Sequence, residues 1–156
     1  MKRLLFYIAV LGAALLVPLR GTDVGKLQPV GLVQLYKEEN MVFVVTDTGD
    51  SGCGSTVDEA FKNLEDTTSG VVFLDTADFL LVSKNAIREI GELERYLKKS
   101  VRVCFAEADI DTTEAAEYLN VHRPSAQLRE GSGILNAQTL RKENGRLIMG
   151  RGDEIK

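Results

Sequence analysis

The chain has 156 residues, a net charge of −4 and a pI near 5.1. That mildly acidic balance excludes a nucleic-acid binder, which needs clustered Lys and Arg against phosphates. A single histidine and no tryptophan remove most metal-site and histidine-based catalytic schemes, which draw on imidazole as ligand or base.

Met1-Lys2-Arg3 precede sixteen uncharged residues, Leu4 to Leu19, closed by Arg20. A basic start feeding an apolar run is the pattern of an export signal. At ~1.5 Å per residue the run spans about 24 Å, short of a ~30 Å hydrocarbon core; interfacial Tyr7, Lys2, Arg3 and Arg20 would close the gap. Cleavage after Gly21 would place the bulky Leu19 three positions before the cut. No Cys follows the run to carry a lipid. Residues 1–21 are therefore read as a signal peptide or a membrane anchor, and both readings put the remainder on the extracytoplasmic side, anchored or secreted.

Residues 22–29 are expected to form a polar link, 30–150 a single domain and 151–156 a frayed tail. Val30–Tyr36 and Met41–Thr46 are β-rich runs around a charged turn, an antiparallel hairpin. Asp47-Thr-Gly-Asp-Ser-Gly-Cys-Gly-Ser55 has three glycines and is read as a loop. Thr56 with Glu59 makes a capping box, and Val57, Ala60, Phe61 and Leu64 give a helix one apolar stripe. Gly70–Leu74 is a continuous apolar run, read as a buried strand. Phe79–Val82 is a further strand or a buried turn. Ser83 is expected to cap a second helix with Ala86, Ile87, Ile90, Leu93 and Leu97 inward. Val101–Ala106 is the next strand. A third helix, Thr113–Leu119, has Ala115, Ala116 and Leu119 on its inner face. His122-Arg-Pro124 ends it, residues 125–133 are irregular, and Asn144-Gly145 marks a hairpin. The order predicts an α/β (α+β) fold, a mixed sheet with three helices packed on it. Were 70–74 and 101–106 parallel, a right-handed crossover would join them.

Asp47-Thr-Gly49 and Asp75-Thr-Ala77 each follow an apolar run, like the two carboxylates of aspartic proteases, which share a proton. The second copy lacks the glycine, and turn-forming Asp and Thr explain both. Ser51 to Ser55 ahead of a helix suggests an anion nest without a phosphate-loop lysine; Asp47, Asp50, Ser51 and Ser55 form a candidate ligand loop. Cys53 and Cys104 are a candidate disulfide in an exported chain, or a loop thiol and a buried small hydrophobe. Glu107, Asp109, Asp111 and Glu114 lack calcium-loop spacing and suit a helix cap. No cofactor or metal and no enzymatic activity is expected. Two alternatives stay open: a secreted aspartate-dependent hydrolase, and a small-ligand binding module using residues 47–55.

The run from Gly54 to Leu119, opening GSTVDEAFKNLE, resembles the N-terminal domain of the spore germination receptor C subunit, the Ger(x)C family. Ala60 and Leu64 match its first helix core, Phe73, Leu74, Leu80, Leu81 and Val82 its next apolar runs, and Leu93, Tyr96 and Leu97 its second helix. Val101 and Val103 match its following strand, and Ala115, Ala116 and Leu119 its small helix. The resemblance covers about residues 30–128. It implies a non-enzymatic domain at a spore membrane, acting by protein–protein contact with membrane-embedded receptor subunits. The family's C subunits are anchored through a lipidated Cys, so here the apolar segment would have to do the anchoring.

Overall fold

Alternating apolar residues build the first hairpin. β2 (Leu32–Glu38) and β3 (Met41–Thr46) pair antiparallel around a turn in which Glu39 takes φ 51°. Further along the computed structural model, which describes residues 24–107, 110–129 and 137–151, three strands run parallel to β2. These are β6 (Phe79–Val82), β7 (Arg102–Ala106) and β8 (Thr139–Glu143). β9 (Arg146–Gly150) returns antiparallel to β8. Asn144 at φ 50° and Gly145 at φ 77° make that turn, the pair of positive φ angles that an Asn-Gly hairpin supplies. With β4 (Ser51–Gly54) beyond β3, the sheet has seven strands in the order β4-β3-β2-β6-β7-β8-β9. It is the mixed sheet with packed helices that the sequence predicts.

Period two sorts side chains to opposite faces. Val33, Leu35, Val44, Leu80, Val82, Val103 and Phe105 share one face. Two helical elements cover it: α1 (Val57–Thr67), and α2 (Ile90–Leu93) entered through a 3-10 turn, Lys84–Glu89. The stripe Val57, Ala60, Phe61 and Leu64 is buried as expected. Phe61 stacks on Tyr96 with ring centroids 4.1 Å apart, tying the two helical elements together. Leu32, Phe79, Leu81, Cys104, Ala106 and Leu140 face the other way, under α3 (Thr112–Val121). Ala115 and Leu119 are fully buried there. Asp111 caps α3 by accepting from the Glu114 amide at 2.8 Å.

Five expectations are corrected. The glycine-rich stretch is a strand, β4, over 51–54. Gly52 and Gly54 face α1, and a Cβ on Gly52 would collide with the Ala60 carbonyl and the Leu64 backbone. The glycines are there so that a helix can lie against the sheet. Residues 70–74 do not make a buried strand. β5 (Val71–Phe73) has Val71 and Phe73 exposed and pairs parallel with β1 (Leu27–Pro29), a separate two-stranded sheet. The supposed link thus supplies a strand. The parallel neighbour of β7 is β6, not 70–74. Ser83 makes no side-chain cap, and the helix it was to start is mostly 3-10.

The apolar segment 4–19, Asp109 of the acidic set, residues 130–133 of the stretch read as irregular, and the tail residues 152–156 lie outside the described residues. Among the described residues no helix is long and apolar enough to cross a membrane.

Candidate functional site

The sequence candidates are scattered, and most are engaged locally. Asp47 follows β3 and accepts the Gly31 amide on both carboxylate oxygens, at 3.1 and 3.2 Å. Asp75 is exposed on the 3-10 turn Leu74–Thr76, where the hydroxyl of Thr76 bonds to Val30. Asp50 accepts from Thr48 at 2.8 Å. Ser55 donates both its amide and its hydroxyl to Glu59, holding that carboxyl below its ordinary range. The glutamate thus reaches past the N-cap Thr56, whose hydroxyl accepts the Glu59 amide. Ser51 sits in β4, its carbonyl accepting from Thr67. The 47–55 stretch spends its polar groups on closing a turn and capping a helix.

Cys53 and Cys104 are both free thiols. Four strand spacings separate β4 from β7, roughly 19 Å at ~4.8 Å each, so the candidate disulfide is not formed within the chain. Cys104 is buried and its thiol is pushed up to about 12 by that burial, which makes it inert. Cys53 is exposed. Of the acidic set near α3, Asp111 is the helix cap and Glu114 pairs with Lys142 at 2.6 Å. Among the described residues no group of acidic, Cys or His side chains is arranged to hold a metal.

Two places remain where side chains converge. The first is the face of β2, β3 and β4 opposite α1. Among the described residues, α3 meets this end of the sheet through Thr112, whose hydroxyl donates to the Thr46 carbonyl, and Thr113, whose hydroxyl donates to that of Asp47. Beyond it Tyr36 and Phe43 stack at 4.9 Å, flanked by Val45 and Cys53, with Met41 exposed further along β3. Tyr36 has its hydroxyl pKa raised, first by partial burial and then by the charges of Glu38 and Cys53. The free edge of β4 beside this face is closed by α1. Asn63 donates to the Cys53 carbonyl and Thr67 to that of Ser51, which keeps the edge from recruiting another strand.

The second is a cleft of about 300 Å³ at the carboxyl ends of β2, β6 and β7. The chain leaves β6 toward the α2 face and β7 toward the α3 face, and a crevice opens where consecutive connections diverge. Lys37, Ser83, Lys84, Phe105, Glu107, Thr139 and Arg141 border it, among others. Lys37 pairs with Glu89 at 2.6 Å and Arg141 with Glu143 at 2.9 Å. Neither the ligand-loop residues nor the paired Asp motifs belong to this cleft. Sequence reasoning missed it because its members come from separate strand ends. The available signal was polarity at buried positions, as with Ser83 directly after Phe79–Val82.

No protein-family profile, curated protein or solved structure matches the chain.

Proposed function

We propose that the chain is a non-enzymatic, outward-facing module of the germination-receptor C-subunit type. Residues 1–21 tether it, and it acts by protein–protein contact with membrane-embedded receptor subunits. The observation that carries this reading is the open sheet face around Tyr36, Phe43, Val45 and Cys53. Stacked aromatics beside aliphatic and Met side chains are the make-up of an interface centre. Such a patch on a sheet whose other face is fully packed costs solvation unless a partner covers it. The internal bonding of the 47–55 stretch adds to the reading, since it leaves Asp47 holding Gly31 in place.

The test is the migration of the full-length chain in native gels of mildly solubilised membranes. Wild type should run in a larger complex. Phe43→Glu should release it, while Val121→Glu, an exposed position on α3, should not. A wild-type chain that runs alone, or a Phe43→Glu chain that stays assembled, rejects the proposal.

A further inference from the structure

The small sheet of β1 and β5 has an inner and an outer side. Its register sets Leu27 opposite Val71, Gln28 opposite Val72 and Pro29 opposite Phe73. Val72 packs against the core, so alternation turns Leu27, Pro29, Val71 and Phe73 outward. Val71 is 45% exposed and Phe73 36%, and Pro29 is exposed as well. These apolar side chains adjoin one another and make a patch, which scattered single residues do not. The apolar run of the sequence ends at Leu19, eight residues before Leu27. From Arg20 to Val24 the backbone reaches at most ~14 Å, and the 3-10 turn Val24–Lys26 adds about 6 Å. A domain of this size is roughly 35 Å across. A connection of about 20 Å therefore keeps the β1 side of the domain against whatever surface holds residues 4–19.

We infer that the outer side of the β1–β5 sheet rests on the lipid bilayer, its apolar side chains entering the boundary between headgroups and acyl chains. The inference rests on the reading of residues 1–21 as a membrane anchor and is independent of the open face around Phe43. Two short strands are too narrow for a protein partner, which needs about 800 Å² on each side. A bilayer has no such requirement once the anchor holds the domain beside it, because the contact is then intramolecular in effect and only has to orient the domain. Charge agrees with this placement. Lys26 is exposed next to Leu27, and Arg20 closes the apolar run, so positive charge lies at the anchored end, where headgroup phosphates and anionic lipids attract it. Asp75 is exposed past the other end of β5, which confines the inserted part to the patch itself.

The experiment reconstitutes the full-length chain, carrying Cys53→Ser, into vesicles of phosphatidylcholine and phosphatidylglycerol. Cys104 is buried and stays unlabelled. One added cysteine then carries an environment-sensitive fluorophore: Val71→Cys, Phe73→Cys or, on α3, Val121→Cys, whose native side chain is 77% exposed. Nitroxide-bearing lipids should quench the label at 71 and 73 at least about twofold more than at 121, and aqueous iodide should do the reverse. Equal nitroxide quenching at the three positions overturns the inference. So does shielding from iodide at 71 and 73 without nitroxide quenching, the sign of contact between copies of the chain. Flotation of the same vesicles separates the two readings. A chain that floats with its labels unquenched overturns the lipid contact alone, whereas a chain that does not float overturns the anchor and the contact with it.

Discussion

Strands β6 and β7 are covered on both faces, whereas β3 and β4 carry a helix on one face and, among the described residues, no helix over Phe43 and Val45 on the other. In the covered half every residue of Phe79–Val82 is buried, which is how a central parallel strand reads. In the other half alternation survives: Val42 and Val44 are packed while Phe43 and Val45 stay partly open. One sheet thus serves two purposes. The covered half supplies stability and, at its strand ends, a cleft bordered by Lys37, Ser83, Thr139 and Arg141. The half-bare end gives up burial to keep an aromatic surface available.

The largest effect should come from the covered half. Leu81→Ala is expected to cost about 3–5 kcal/mol in chemical denaturation, and Val45→Ala on the open face under about 1. Equal costs would mean that the two halves are packed alike. Next, Gly52→Ala should cost about 1–3 kcal/mol, because a Cβ there meets the α1 backbone. Gly91→Ala, where a Cβ meets nothing, should be neutral or slightly stabilising. Thr139→Val should be neutral or add on the order of 1 kcal/mol by removing an unpartnered buried hydroxyl. A clear loss of stability would show that the hydroxyl is bonded in the folded chain.

The smallest effect lies at the start of α1. The Glu59 pKa is lowered by its bonds from Ser55, so its contribution is present above the ordinary carboxylate pKa. It is lost as pH falls through the lower, folded-state value. Ser55→Ala should flatten the acid side of the stability–pH curve, with no change near pH 7 in slope. A curve identical to wild type would show that the Ser55–Glu59 contact is not held in solution.

Much of this fold was legible because its signals are local. The hairpin around Glu39, the stripe from Val57 to Leu64, the strand before Glu107 and the Asn144-Gly145 turn each depend on neighbours in sequence. What failed depends on distant partners. Gly52 and Gly54 looked like loop residues because the helix they accommodate starts only at Val57 and packs back on them. Gly70–Leu74 looked buried because an apolar run carries no sign that its strand pairs only with Leu27–Pro29 at the periphery. The cleft was invisible for the same reason: Ser83, Thr139 and Arg141 meet only through the register of β6, β7 and β8. The open face was half legible, since alternation marks Phe43 and Val45 as one side of a strand but not as the side left uncovered.

The two cysteines allow a direct test of the central claim, that the open face is where this chain meets a partner. Cys53 is exposed on that face, and Cys104 is buried with its thiol raised to about 12, so at pH 8 only Cys53 should react with a maleimide. The rate should be measured in native membranes, then after mild dissociation of the membrane proteins. The account predicts slow labelling in the membranes and fast labelling after dissociation. Fast labelling of Cys53 in both would contradict it.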